Sequence, residues 1–246
     1  MLQSVKQLYG ERLGALDGEI GHVKDFYFSD QSWAVRYLVA DTGNWLPGRQ
    51  VLLSPHAIGS LYHDGKVLLA NLTRKQIEDS PAIESHKPVS RQYEEDYYRY
   101  YGWPYYWQGD GLWGMSGFPI LESPAQPRPG KRQVATDSKH EPADAHLRST
   151  QAVKGYHLSA SDGITGHVAD FMMDNESWAI GELVIKTGNR FTGKEVRIPA
   201  SSVKQISYEE STVFVNLTKE AVEQSPEHHL VPAGAAEDGR FIKALV

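Results

Sequence analysis

Residues 17–26 read DGEIGHVKDF, and residues 162–171 read DGITGHVADF. Outward from these two stretches, residues 13–81 align without a gap on residues 158–226, at the constant spacing of 145 residues that separates 17 from 162. About a third of the paired positions are identical. A unit that keeps its spacing through loops as well as strands is a complete small domain, so the sequence predicts two copies of one domain.

Each copy has the pattern of short strands separated by turns. In the first copy, residues 21–29 and 33–41 are strand-like, and Thr42, Gly43 and Asn44 supply the following turn. Short antiparallel strands at this spacing favour a closed barrel, which leaves no exposed sheet edge. We therefore expect an all-β dominated fold with two small antiparallel β-barrels of about six strands each, both ending in a short helix.

The C-terminal helix of each copy has its own start and stop signals. Thr73 and Thr218 stand where a helix N-cap belongs, and Pro81 and Pro226 follow the helical stretches. Gln76, three residues after Thr73, completes a capping box in the first copy. We therefore interpret both Asn-Leu-Thr motifs as helix caps and not as glycosylation sites.

Composition divides the chain further. The stretch before the second copy is rich in proline and charge and nearly devoid of large apolar residues, which is typical of a disordered tether. The predicted regions are a first barrel (1–82), an aromatic-rich insert with a short helix (83–122), a disordered Pro-rich linker (123–149), a second barrel (150–232) and a C-terminal tail (233–246).

Charge and cysteine content exclude several classes of function. The net charge is −6, and basic residues are scattered among acidic ones, so we expect no nucleic-acid partner. The absence of cysteine excludes disulfides and thiolate chemistry. No stretch approaches the roughly 20 apolar residues of a membrane span, and the first residues lack a signal-peptide pattern. We expect a cytoplasmic protein without a cofactor and without stable membrane insertion.

The motif Asp-Gly-x-x-Gly-x-Val-x-Asp-Phe, the Trp-containing strand after it, and residues 42–55, TGNWLPGRQVLLSP, carry a resemblance to a known family. Together they resemble the PRC-barrel family, named for the cytoplasmic domain of the photosynthetic reaction centre H subunit and shared by the C-terminal domain of a ribosome maturation factor. The resemblance implies a six-stranded barrel in each copy but not one particular chemistry. The chain has neither the H subunit's membrane helix nor the maturation factor's N-terminal domain, and is most similar to free-standing bacterial barrel proteins.

Positions that are identical in both copies are interpreted as structural, since both barrels need them to fold. They are Gly21, Asp25, Trp33, Gly43 and Asn44 in the first copy, and Gly166, Asp170, Trp178, Gly188 and Asn189 in the second.

A pair of histidine and aspartate residues recurs in both copies, as His22 with Asp25 and His167 with Asp170. Residues three apart on a strand point to opposite faces, so each pair cannot converge on one ion without a bulge. We expect these residues to form structural hydrogen bonds at strand ends, and we assign no metal, cofactor-binding or catalytic residue.

The loop after the Trp strand differs most between the copies. Trp45 and Arg49 of the first copy stand near the positions of Arg190 and Phe191 in the second, and Asp41 is replaced by Lys186. This complementarity favours a contact between the copies or with a partner. Neutral variation at loop tips is the alternative.

The insert concentrates aromatic residues in positions 93–107. Tyr93, Tyr97 and Tyr101 recur at helical spacing, and Trp103 and Trp107 follow. We expect an amphipathic helix, ended by a glycine, whose aromatic side packs on the protein's own barrels and fills the space between them. A dimer interface and a ligand-stacking surface are the alternatives.

The leading functional hypothesis is a non-catalytic binding or scaffolding protein with an unknown protein partner, existing as a homodimer or with its two barrels paired within one chain. One alternative is an enzyme that uses the cleft between barrels, with Glu94, Glu95, Asp96 and either His22 or His167 as acid and base. The other is a peripheral accessory protein of a membrane electron-transfer complex, which rests on the H-subunit resemblance alone.

Overall fold

The computed structural model describes residues 1–47, 49–59, 61, 67–84, 89–121, 147–188 and 193–229. Within these residues the protein is mostly β, with two seven-stranded sheets and a smaller share of short helices. The expected all-β dominated fold is confirmed at this level. The predicted tail 233–246, and the predicted linker except for its last three residues, lie outside the described part of the chain.

The elements are numbered along the chain. The strands are β1 (Leu2–Ser4), β2 (Arg12–Ala15), β3 (Gly18–Ser29), β4 (Val35–Asp41), β5 (Arg49–Leu53), β6 (Val67–Leu69), β7 (Ile83–Glu84), β8 (Leu147–Ser149), β9 (His157–Ala160), β10 (Gly163–Asp174), β11 (Ile180–Thr187), β12 (Glu195–Pro199), β13 (Val203–Ser207) and β14 (Thr212–Val215). The helices are α1 (Val5–Leu8), α2 (Pro55–Ile58), α3 (Arg74–Glu78), α4 (Arg91–Tyr101), α5 (Thr150–Val153) and α6 (Lys219–Glu223).

The two sheets correspond to the two copies. The first has the strand order β6-β2-β3-β4-β5-β7, and the second has the order β12-β11-β10-β9-β14-β13. Among the described residues each order is an open path, so the expected closure into a barrel is not seen. The sheets are also not wholly antiparallel, because β6 pairs in parallel with β2, and β14 with β9. After β5, and likewise after β12, the chain crosses to the other side of the sheet. There β6 runs parallel to β2, and β14 runs parallel to β9.

The predicted helix signals are confirmed. Thr73 accepts a hydrogen bond from the Gln76 amide and donates its own amide to the Gln76 side chain, as a capping box requires. Thr218 accepts from the Ala221 amide at 3.2 Å. The aromatic helix α4 ends at Gly102, whose φ of 73° is the left-handed conformation of a C-terminal cap.

The seventh strand of each sheet comes from the other copy. β1 pairs with β10, with Ser4 opposite Met172, and β8 pairs with β3, with Ser149 opposite Tyr27. Both pairings have the same register. At the spacing of 145, Ser149 is the equivalent of Ser4, and Met172 is the equivalent of Tyr27. Residues 147–149, predicted as the end of a disordered linker, therefore form a strand, and that prediction is wrong for these three residues.

The exchange follows from the length of the central strands. β3 and β10 have twelve residues each. Their own neighbours, β2 and β9, pair only with residues 18–22 and 163–167. The last residues of β3 and β10 would be left as an unpaired edge, and the strand from the other copy covers them. We call residues 2–8 and 147–153 the exchanged segments.

The copies also meet directly in the region that we call the seam. Ala34 forms an antiparallel bridge with Ala179, its equivalent at the spacing of 145. Beside it, the Val35 amide donates to the Trp178 carbonyl at 2.8 Å, and the Ile180 amide donates to the Trp33 carbonyl at 2.7 Å. These reciprocal contacts are those of a two-fold axis between identical subunits, although both partners belong to one chain.

Both tryptophans adopt a φ of 58°, which is uncommon for a residue with a side chain. This conformation lets their carbonyls accept the bonds across the seam. Trp178 is fully buried, and its indole N–H donates to the Gly59 carbonyl of the first copy at 2.6 Å. Trp33 is half-buried and stacks on Phe28. The positive φ of Trp33 and of Trp178 thus has a structural cause.

The exchanged segments contribute to a core that runs through both copies. Val5, Leu8 and Val153 are at most 1% exposed and belong to the same hydrophobic cluster as the sheets. Because each segment is covered by the other copy, the two domains form one folding unit.

Replacing Leu8 by Ala tests this arrangement. We expect the free energy of unfolding to fall by about 2–5 kcal/mol, because a fully buried leucine is truncated. The control is Leu16→Ala, since Leu16 is 66% exposed, and its effect should stay within about 0.5 kcal/mol. Urea unfolding measures both, and equal effects of the two changes would contradict the docking of α1 on the second copy.

Candidate functional site

The aspartates of the repeated Asp-Phe motif hold the exchanged segments. A β-bulge between Val23 and Asp25, repeated between Val168 and Asp170, makes one extra residue in each central strand. The side chain of Asp25 is buried, while His22 is exposed. The bulge, which the sequence pattern did not predict, lies between the two residues.

Asp25 binds the start of α5. It accepts hydrogen bonds from the Ser149 hydroxyl at 2.5 Å, the Thr150 hydroxyl at 2.8 Å and the Gln151 amide at 3.1 Å. It also accepts from the Phe26 amide at 2.7 Å. Ser149 is at the same time the N-cap of α5. We call this group of contacts the first anchor site.

The second anchor site repeats this chemistry. Asp170 accepts hydrogen bonds from the Ser4 hydroxyl and from the Lys6 amide, the latter at 2.9 Å, and Ser4 is the N-cap of α1. In each copy a carboxylate therefore lies at the first turn of a helix from the other copy, where acidic groups are favoured. These contacts agree with the expected structural role of both aspartates.

Burial raises the pKa of Asp25, although the four hydrogen bonds that it accepts act in the opposite direction. No cluster of three or more potential metal ligands occurs among the described residues. The anchor sites are thus hydrogen-bonded joints, and all the hydrogen bonds named above, except the one from the Phe26 amide, hold an exchanged segment.

Gly21 and Gly166 permit a close approach of two strands. A Cβ placed on Gly21 would lie 1.9 Å from the Asp41 carbonyl oxygen, and one on Gly166 would lie 2.4 Å from that of Lys186. Gly43 and Gly188 have positive φ angles of 55° and 77° in the turn after the Trp strand. Each of these glycines has a local backbone reason to be identical in the two copies.

The loop that differs between the copies contacts its own domain where it is described. The guanidinium of Arg74 lies over the Trp45 ring, at 4.4 Å from its centroid. Arg49 donates to the carbonyls of Ile77 and Ser80, at 3.0 and 2.7 Å, at the C-terminal end of α3. The expected opposite partners, Arg190 and Phe191, lie outside the described residues, as does Asn189.

The aromatic insert packs mainly against the first copy. Tyr97, Tyr101 and Trp103 are at most 4% exposed, whereas Tyr93 and Trp107 are half-buried. The Tyr97 hydroxyl donates to the Leu52 carbonyl at 2.9 Å and accepts from the Ser54 amide. The protein itself covers the three buried residues, as expected, but these contacts of Tyr97 are with the first copy and not with both copies, as a helix between the barrels would require.

The insert reaches the second copy through Trp113. Its indole N–H donates to the Ser177 carbonyl, next to Trp178, at 2.8 Å. His56 lies between Trp113 and Trp103, with ring centroids 5.3 and 5.8 Å away, and its Nδ1 is 3.0 Å from the Ile120 carbonyl oxygen. The insert therefore touches the seam through Trp113.

A charged network lies inside the insert. Glu94 is fully buried, accepts from the hydroxyls of Tyr106 at 2.8 Å and Tyr37 at 3.1 Å, and pairs with Arg91 at 3.0 Å. Burial raises the pKa of Tyr106, and the charge of Glu94 adds to this effect. This carboxylate is completely engaged in packing the insert, which fits the rule that buried charges are paired.

Arg36 is a second buried charge that sequence reasoning missed. Its guanidinium lies 3.8 Å from the Tyr106 ring centroid and donates to the Leu112 carbonyl at 2.7 Å. Burial lowers the pKa of Arg36. Comparison of the copies could have drawn attention to Arg36, because its equivalent in the second copy is Gly181.

The residues of the enzyme alternative are not brought together. Glu94 accepts a hydrogen bond from Tyr37 of β4. His22 of β3 lies opposite Asp41 of β4. Asp41 is four residues beyond Tyr37, which corresponds to a rise of about 13 Å along the strand. His167 lies on the second sheet, opposite Lys186. An open cleft of about 330 Å³ holds His22, Asp41 and Trp45 without Glu94.

One exposed apolar stretch stands out on the surface. Within residues 115–121, which we call the apolar segment, four large side chains are exposed: Met115 by 92%, Phe118 by 59%, Leu121 by 53% and Ile120 by 47%. The segment is fixed at one end by the His56 contact to Ile120. Sequence analysis placed it in the insert but assigned it no role.

No family model matches the chain, and a search of curated proteins found no match to it. In the described part of the structure, no helix is both long and apolar enough to cross a membrane.

The Asp25→Asn variant tests the first anchor site through pH. Because the folded-state pKa of Asp25 is raised above 3.8, the folded protein holds its proton more tightly than the unfolded chain does. The stability that Asp25 contributes is therefore greatest in acid and falls as pH rises through and above the ordinary pKa. Asparagine cannot ionise, so this part of the pH dependence should vanish in urea unfolding measured between about pH 3 and 7. Parallel curves for both proteins would contradict the shift.

The Tyr97→Ala variant tests the packing of the insert. It should lower the free energy of unfolding by about 3–5 kcal/mol, because a buried ring and a bond to the Ser54 amide are lost. Phe118→Ala is the matched control, since Phe118 is exposed, and should change stability by less than about 0.5 kcal/mol. Similar melting curves for the two variants would mean that α4 is not part of the core.

Proposed function

We propose that this protein is a non-catalytic binding or scaffolding protein, built from two PRC-barrel-type repeats that form one rigid body and present the apolar segment to a protein partner. The family assignment rests on the sequence resemblance. The order of five strands, β5-β4-β3-β2-β6 and β12-β11-β10-β9-β14, is the same in both repeats and supports a common ancestral unit.

The use of the polar residues supports a role without catalysis. Asp25 and Asp170 hold the exchanged segments, and Glu94 holds the insert. A general acid or base has to reach a substrate proton within hydrogen-bond distance. These three carboxylates are instead enclosed in protein contacts, where they serve folding.

The single observation that carries the binding role is the exposure of the apolar segment. Surface apolar residues scattered singly need no explanation, but a contiguous group of large ones is typical of an interaction surface. Methionine and phenylalanine are among the residues enriched in protein interfaces. The segment also lies on the insert, the part of the chain that has no counterpart in the second repeat.

A protein fits this surface better than a small molecule does. Small ligands bind in concave sites that bury most of their surface. Met115 is 92% exposed and so projects from the surface, as a side chain does that enters a pocket on a partner.

Photo-crosslinking tests the proposal. A photoreactive residue is placed at position 118, and at position 16 in a parallel preparation, because both native side chains are exposed. After irradiation in the native host, quantitative mass spectrometry should find one or a few proteins crosslinked at position 118 and absent at position 16.

Two variants then establish which side chains matter. Met115→Ser combined with Leu121→Ser should weaken binding of the identified protein by about tenfold or more at unchanged melting temperature. Leu16→Ser combined with Ile164→Ser, two exposed positions in the β2–β3 turn and on β10, should leave binding unchanged. The proposal fails if the same proteins are crosslinked at both positions, or if the first pair of changes has no effect.

A further inference from the structure

We propose that the seam is a self-sufficient protein–protein interface: the two halves of the chain hold together without the connection 122–146, and either half also fits the opposite half of a second copy of this chain. The halves are residues 1–121 and 147–246. This inference is independent of the proposed function, because it concerns the seam and not the apolar segment.

The first support is the reciprocity of the contacts. The amide of Val35 bonds to Trp178, and the amide of Ile180 bonds to Trp33, on either side of the Ala34–Ala179 bridge. In an isologous dimer each contact occurs twice, related by the two-fold axis. The seam has this form, so it has the geometry of an interface between separate subunits.

The second support is the apolar character of the seam. Phe28 lies 5.6 Å from Phe171, and Phe26 lies 6.4 Å from Trp178, measured between ring centroids of opposite halves. Trp178 is fully buried there. Interfaces of obligate complexes have this composition and resemble a domain core divided in two.

The third support is the exchange itself. A half on its own would expose the buried Val5 and Leu8, or Val153, and would leave the end of β3 or β10 unpaired. Neither half can complete its own fold, and the missing piece is always the segment of an opposite half. Exchange of identical elements between protomers is a low-cost route to assembly.

A second copy offers the same contacts. All the contacts named above are made by residues outside 122–146. Within one molecule the connection gives the halves a high effective concentration, which favours pairing inside the chain. Cutting the connection removes this advantage and makes pairing between copies measurable.

The experiment uses the full chain with a protease recognition site inserted within residues 122–146. After cleavage of the native protein, size-exclusion chromatography and native mass spectrometry at about 1 µM should show the two fragments in one complex. Separation of the fragments at this concentration without denaturant would overturn the proposal.

Exchange between copies is measured with isotopes. Cleaved protein is prepared in light and heavy forms, mixed, unfolded in urea and refolded. Random pairing should give complexes of which about half contain one light and one heavy fragment, while the uncleaved chain gives no such hybrids. Reassembly without hybrids would overturn pairing between copies. If refolding gives only precipitate, the association of the natively cleaved fragments still decides whether the seam is self-sufficient.

Variants at the anchor sites show whether the exchanged segments carry the association. Asp25→Ala combined with Asp170→Ala should weaken the affinity of the cleaved halves by about tenfold or more, because five or more hydrogen bonds to the exchanged segments are lost. Asp110→Ala, an exposed carboxylate of the insert, is the control. Equal affinities for the two variants would contradict the role assigned to the segments.

Discussion

The last residues of a long central strand expose backbone amides and carbonyls when they are unpaired, and covering them is the constraint that organises the molecule. β3 and β10 are longer than the strands beside them, so each leaves an unpaired edge that its own repeat cannot cover. The other repeat supplies the missing strand together with the short helix that follows it. From this one exchange follow the shared core, the reciprocal contacts of Trp33 and Trp178, and the burial of both anchor aspartates.

The exchange also explains which positions the repeats have in common. Asp25 and Asp170 cap a helix that belongs to the other half, and the two tryptophans direct their carbonyls across the seam. These roles are pairwise, so a change on one side would break a symmetric contact. Arg36 has no such partner: it contacts Tyr106 and Leu112 of the insert, and its equivalent in the second repeat is Gly181.

Much of the fold could be predicted from the sequence, because periodicity, turns and caps are local signals. The two-fold repeat, the capping box at Thr73 and the end of α4 at Gly102 are examples. The exchange was missed, although Leu2 and Ser4 recur as Leu147 and Ser149 at the same spacing. Strands as short as β1 and β8 are stabilised by a partner strand that is distant along the chain, and no local sequence pattern identifies that partner.

The candidate site was harder to predict, since exposure is a property of the packed chain. By sequence, Tyr97 and Phe118 are both aromatic residues of one insert, yet one is fully buried and the other is 59% exposed. In the sequence Glu94 resembles a surface carboxylate. In the structure it is buried and accepts hydrogen bonds from the Tyr37 and Tyr106 hydroxyls. The insert buries its charge and most of its rings on the first repeat, which leaves the apolar segment as the part that repeat symmetry does not explain. We place the proposed recognition surface on the insert, because the seam of the symmetric body is already used in pairing the two repeats.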